Sequence, residues 1–169
     1  ESTGLPTGLI RRSAFSLLAI PSTPALDKEQ QLKALRELLA LYNSVGFTSV
    51  VSGGGTVEEL EAFQKLKEKD ALTVRIFHNI RIPIDARKSQ DDLLNEIRKL
   101  GRTTGDGDEW VKTGAFKVVL DGGMLTGTAF LHEGWGEKAK DLYGVNDPSY
   151  RGELMFTRAE LVKVITAAD

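Results

Sequence analysis

The amino-acid sequence predicts an α/β fold of parallel βαβ units, and three observations predict it. Short apolar, β-branched stretches alternate with longer stretches of helical periodicity. Each apolar stretch ends at glycine or proline, and the helical stretches open on capping residues. A helix between two strands returns the chain to the same end of the sheet, which makes the strands parallel.

The first helix is predicted from about Asp27 to Ser44, with Asp27 as cap, Leu32, Leu35, Leu39 and Tyr42 at helical spacing, and Gly46 as the stop. Phe47 to Val51 reads as a buried strand running into Gly53, Gly54 and Gly55. Thr56 with Glu59 forms a capping box for a second helix, whose apolar face is Val57, Leu60, Phe63 and Leu66. Leu72 to about Ile82 is the second strand, closed by Pro83. Ser89 with Asp92 caps a third helix carrying Leu93, Leu94, Ile97 and Leu100. Arg102 to Thr113 reads as a polar loop, and Phe116 to Leu120 as the third strand. The segment Gly122 to Phe156 shows little periodicity, and a loop of that length in a compact domain points to function. Thr157 with Glu160 caps a last helix bearing Leu161, Val164 and Ile165.

The chain has 169 residues, 41% hydrophobic and 27% charged, which bounds it to one ordered domain. Residues 1–26 read as an irregular lead-in, and 27–169 as the βα units. Three parallel strands cannot close a barrel, so the sheet exposes edges, pairs with another chain, or belongs to a longer protein. The opening residue, Glu1 rather than Met, agrees with a longer parent. Open edges also predict self-association of this segment.

A net charge of -2, with cations and anions interspersed, gives no attraction for phosphate backbones or anionic lipid, so neither nucleic acid nor membrane is an expected partner. The absence of cysteine excludes disulfides and thiolate metal sites and leaves the compartment open. The two histidines, His78 and His132, are too few for an imidazole-based metal centre. His78 shares a strand face with Val74, Ile76 and Ile80 and is expected in the core. His132 follows the third strand in a loop, where it could meet substrate or solvent.

The run Gly114-Ala115-Phe116-Lys117-Val118-Val119-Leu120-Asp121-Gly122-Gly123 places a charge within an apolar strand. Alternation sets Lys117, Val119 and Asp121 on one face and Phe116, Val118 and Leu120 on the other. If the apolar set packs on helices, Lys117 and Asp121 point inward. A buried ammonium tends to lose its proton and become a nucleophile. It can then form a Schiff base with a carbonyl, or take up carbon dioxide as a carbamate able to bridge divalent cations. A strand-end lysine paired with Asp121 is the plain structural alternative. Gly53 to Gly55 before a capped helix reads as a tight turn rather than a phosphate cradle, because its spacing matches no nucleotide fingerprint. Trp110, Trp135 and Tyr143 could stack on a ligand or cover a core edge.

Several pieces, in order, resemble amidohydrolase family 3, the group that includes N-substituted formamide deformylase-like enzymes. They are Gly4-Leu5-Pro6-Thr7-Gly8-Leu9-Ile10, Asn43-Ser44-Val45-Gly46-Phe47-Thr48-Ser49-Val50, Leu72-Thr73-Val74-Arg75, Gly114-Ala115-Phe116-Lys117 with Asp121-Gly122, Thr128-Ala129, and Arg151-Gly152-Glu153-Leu154. The resemblance implies a (β/α)8 TIM-type barrel, of which this chain is a partial one with about three parallel strands and flanking helices. It implies hydrolysis of carbon-nitrogen bonds in small amide-type substrates with a divalent metal, usually zinc. Of the family's metal ligands only the carboxylated lysine carries over, onto Lys117. Asp121 carries over more loosely, as a loop-shaping residue or a substrate contact, and His132, placed by its loop position alone, is a further candidate substrate contact. The His-x-His pair of the family is absent from this chain, so the isolated segment is expected to bind no metal and to be inactive. A Schiff-base barrel enzyme, distinguishable by borohydride trapping, and a non-catalytic βα binding or assembly module are the alternatives.

Overall fold

The computed structural model describes residues 10, 18–19, 21, 24–82 and 89–168. Most of the lead-in, Pro83 and the side chain of Leu93 lie outside the described residues.

Helix α1, Lys28–Ser44, starts at the predicted cap. The Asp27 carboxylate accepts the Gln30 amide at 2.8 Å, and the Gln30 side chain accepts the Asp27 amide at 3.0 Å. Two amides that the helix start leaves without partners are thereby satisfied. Strand β1, Ser49–Gly55, leads into helix α2, Val57–Glu68, through the reciprocal Thr56–Glu59 box. Strand β2 is Arg75–Arg81 and helix α3 is Gln90–Lys99, whose cap Ser89 accepts the Asp92 amide at 3.2 Å. Strand β3, Val111–Lys117, is followed by a short helix α4, Lys138–Tyr143, and by helix α5, Arg158–Ala168. Thr157 and Glu160 cap α5 as the sequence predicts.

The three strands form one parallel sheet in the order β1-β2-β3. One face carries the core. Ile76 and Ile80 of β2 and Val111 of β3 pack against Leu39 of α1 and Leu60 and Leu66 of α2. Ile82, Ile97 and Val164 form a second cluster where α3 meets α5. Phe116 joins the two clusters. Each such buried aliphatic side chain contributes about 1.5–3 kcal/mol by leaving water. The opposite face bears Val51, Phe77, Lys112 and Arg81, all exposed. Among the described residues the helices lie on one face only, and with strands in sequential order this is the wall of a TIM-type barrel rather than a doubly wound sheet, which is covered on both faces. The α/β, partial-barrel expectation therefore holds.

Three expectations need correction. The third strand lies earlier than Phe116 to Leu120, because Val111 and Thr113, expected in a loop, are buried and pair with Ile76 and His78. The strand β1 extends through the three glycines instead of ending before them. The second strand's ladder begins at Arg75, although Leu72 and Val74 ahead of it are already buried. The segment from Gly122 to Phe156 is irregular as predicted, apart from α4.

Candidate functional site

In barrels of this kind the chemistry gathers at the C-terminal ends of the strands. Here those ends are Gly53 to Gly55 of β1, Arg81 of β2 and Lys117 of β3. Lys117 is the last residue of its strand and is exposed, which corrects the expectation of a buried lysine in mid-strand. Its predicted face is upheld. Phe116 and Val118 pack toward the helices, so Lys117 between them points to the open side that would line a barrel interior.

The stem of Lys117 lies against Gly54 of β1. A Cβ built at Gly54 would stand 2.7 Å from Lys117 Cδ, and Gly54 has φ +130. The φ value calls for glycine there, and any side chain would have to displace the Lys117 stem. Gly54→Ala is expected to cost about 1–3 kcal/mol in backbone strain and to push the Lys117 side chain off β1. Thermal unfolding and the amine reactivity of Lys117 measure the two effects, and a variant unchanged in both would refute the contact.

Beyond Lys117, three pieces of the sequence resemblance meet in space. Asp121 Oδ2 accepts the Phe130 amide at 2.8 Å, and Thr128 Oγ1 accepts the Gly123 amide at 3.0 Å. The Leu131 amide donates to Arg151 O at 2.7 Å and the Glu153 amide to Thr128 O at 3.1 Å. A Cβ at Gly122 would run into Thr128, and one at Gly152, where φ is +101, into the backbone of Ala129. The pairs Asp121-Gly122, Thr128-Ala129 and Arg151-Gly152 thus belong to one backbone-to-backbone knot above β3. Asp121 holds this loop. His132 is exposed within it.

The other candidates are structural. His78 is 1% exposed, its Nε2 lies 2.9 Å from Thr56 O, and its ring packs on Phe63, as expected of a core histidine. Trp110 lies under the Arg75 guanidinium, and Trp135 packs edge-on to Tyr143 while donating to Ala129 O at 3.0 Å. The glycine turn before α2 offers no anion cradle, since Thr56 and Glu59 already cap the helix. Gly54 reads in the sequence only as part of a tight turn, and Asn79 has no role there. Gly54 carried the signal of a glycine within an apolar strand, and Asn79 that of a polar break in one.

Among the described residues no group of three or more His, Asp or Glu side chains is placed to hold a metal ion. One lysine is a single donor, and a catalytic metal takes about three protein ligands. The described residues alone do not fit a metal centre.

All of residues 1–169 match the amidohydrolase family. The chain belongs to that family. Its amidohydrolase fold is similar to that of an uncharacterized metal-dependent hydrolase from Pyrococcus horikoshii OT3, with a TM-score of 0.59 and 19% identity over 85% of this chain and 26% of that one. It is also similar to an uncharacterized metal-dependent hydrolase from Pyrococcus furiosus, with a TM-score of 0.59 and 20% identity over 86% of this chain and 27% of that one. The amidohydrolase segment spans about a quarter of the length of these structures. No curated protein matches it.

Proposed function

We propose that the protein containing this amidohydrolase segment is a metal-dependent hydrolase of carbon-nitrogen bonds other than peptide bonds, on the pattern of the N-substituted formamide deformylases. Lys117, as a carbamate, is the residue this segment brings to a divalent metal, zinc by preference, while the remaining ligands come from elsewhere in the protein. The observation that carries this reading is the position of Lys117. It stands at the C-terminal end of a barrel strand, on the open face, with the three-part loop knot directly after it. Asp121 and His132, in that knot, are the proposed edge of the substrate pocket.

The segment by itself is inactive and self-pairs through its open strand edges; metal-dependent turnover by the pure segment, or a monomer at all concentrations in light scattering, would contradict these statements. The function is tested on the full-length protein with N-benzylformamide as probe. Release of formate that stops on chelation and returns with zinc is the expected result. Turnover indifferent to chelation, or no turnover of this and other simple amides, would overturn the reading.

A further inference from the structure

The pairing of the three strands changes at one level of the sheet. His78 pairs with Ser52 on one side and Thr113 on the other, and Ile80 pairs with Gly55 and Phe116. Each outer strand therefore carries one more residue than β2 across this interval, a bulge in β1 at Gly53-Gly54 and one in β3 at Gly114-Ala115. A bulge reverses the faces of all residues after it. Val111 and Thr113 are buried toward the helices, so simple alternation would send Lys117 into the helix layer. The bulge gives that place to Phe116 and turns Lys117 to the open side.

A bulge leaves an amide without its ladder partner. In β3 that amide is Ala115 N–H, and it donates to Asn79 Oδ1 at 2.9 Å. Asn79 also fills the space beside Gly114, where a Cβ would lie 3.0 Å from Asn79 N and 2.9 Å from the Phe77 ring. We propose that Asn79 is a positioning residue for Lys117: its side-chain carbonyl holds the β3 bulge and so keeps the lysine on the open face. This rests on the reading of Lys117 as the functional lysine.

The test uses the full-length protein, dialysed free of metal and bicarbonate and treated briefly with acetic anhydride. Lys112 stands on the same open face ahead of the bulge, so acetylation of Lys117 relative to Lys112, read by mass spectrometry, reports the register internally. In Asn79→Ala the ratio should fall by about fivefold and exchange of the Ala115 amide should quicken by about tenfold. Asn79→Asp keeps the acceptor and should match the wild type in both. General loosening of the fold would instead raise both lysines together. Should the alanine variant not fold, Asn79→Leu keeps the volume without the acceptor and gives the same reading. A wild-type ratio in the variants lacking the acceptor overturns the proposal, whatever the Ala115 exchange does. Turnover retained in Lys117→Ala would sink the functional reading instead, and the lysine ratio would still decide the role of Asn79.

Discussion

Replacing Lys117 by alanine in the full-length protein is expected to lower turnover of an amide probe by about 10³-fold or more and to lower bound metal with it. A metal that polarises a carbonyl contributes several kcal/mol to the transition state, and each 1.4 kcal/mol is about tenfold in rate. Alanine removes the proposed metal donor from the open face at the end of β3 while leaving Phe116 and Val118 in place as core residues. Fold stability should therefore change little, since the lysine belongs to neither apolar cluster of the segment. Metal analysis, kinetics and thermal unfolding on the same preparation separate the outcomes. Undiminished metal and rate would remove Lys117 from the site, and a collapse of stability would assign it a structural part.

The second large effect is expected within the loop knot, at a residue with no chemistry of its own. Gly152→Val should break the loop knot above β3, because Gly152 has φ +101 and a side chain there meets the carbonyl of Ala129. The unfavourable backbone alone costs about 1–3 kcal/mol, and the collision with backbone rather than with a flexible side chain adds about as much again. The amides of Leu131 and Glu153, which bond to Arg151 O and Thr128 O, should lose protection in hydrogen exchange. Those of Ile76 and Ile80 in the sheet should keep theirs. Equal protection at Leu131 and Glu153 in the variant and the wild type would show that the two loop arms do not depend on close approach at Gly152.

The parts of this fold that are written locally were legible. Asp27, Thr56 and Thr157 announced their helices because a cap is a contact between residues three apart. His78 could be placed in the core from alternation with Ile76 and Ile80 alone. The third strand was misplaced because its first half, Val111-Lys112-Thr113-Gly114, has neither an apolar run nor an unbroken alternation. What makes it a strand is pairing with β2 and the bulge that Asn79 closes from a neighbouring strand, and no single stretch of sequence shows that. Alternation counted from Phe116 and Val118, past the bulge, gives Lys117 its correct face, whereas alternation counted from Val111 gives the wrong one. Its burial was misjudged for a related reason. Alternation tells which face a side chain takes, whereas exposure depends on what lies opposite that face, and among the described residues the helices cover only the other one. The recurring pairs Asp121-Gly122, Thr128-Ala129 and Arg151-Gly152 were visible as separate motifs. Their common cause, three backbones in contact, became visible only in space.

The most direct test of Lys117 as a carbamate is carbon NMR of the full-length protein equilibrated with isotopically labelled bicarbonate. A carbamate resonance is expected in the wild type and is lost in Lys117→Ala. A wild-type spectrum without that resonance, or one in which it survives the substitution, would contradict it.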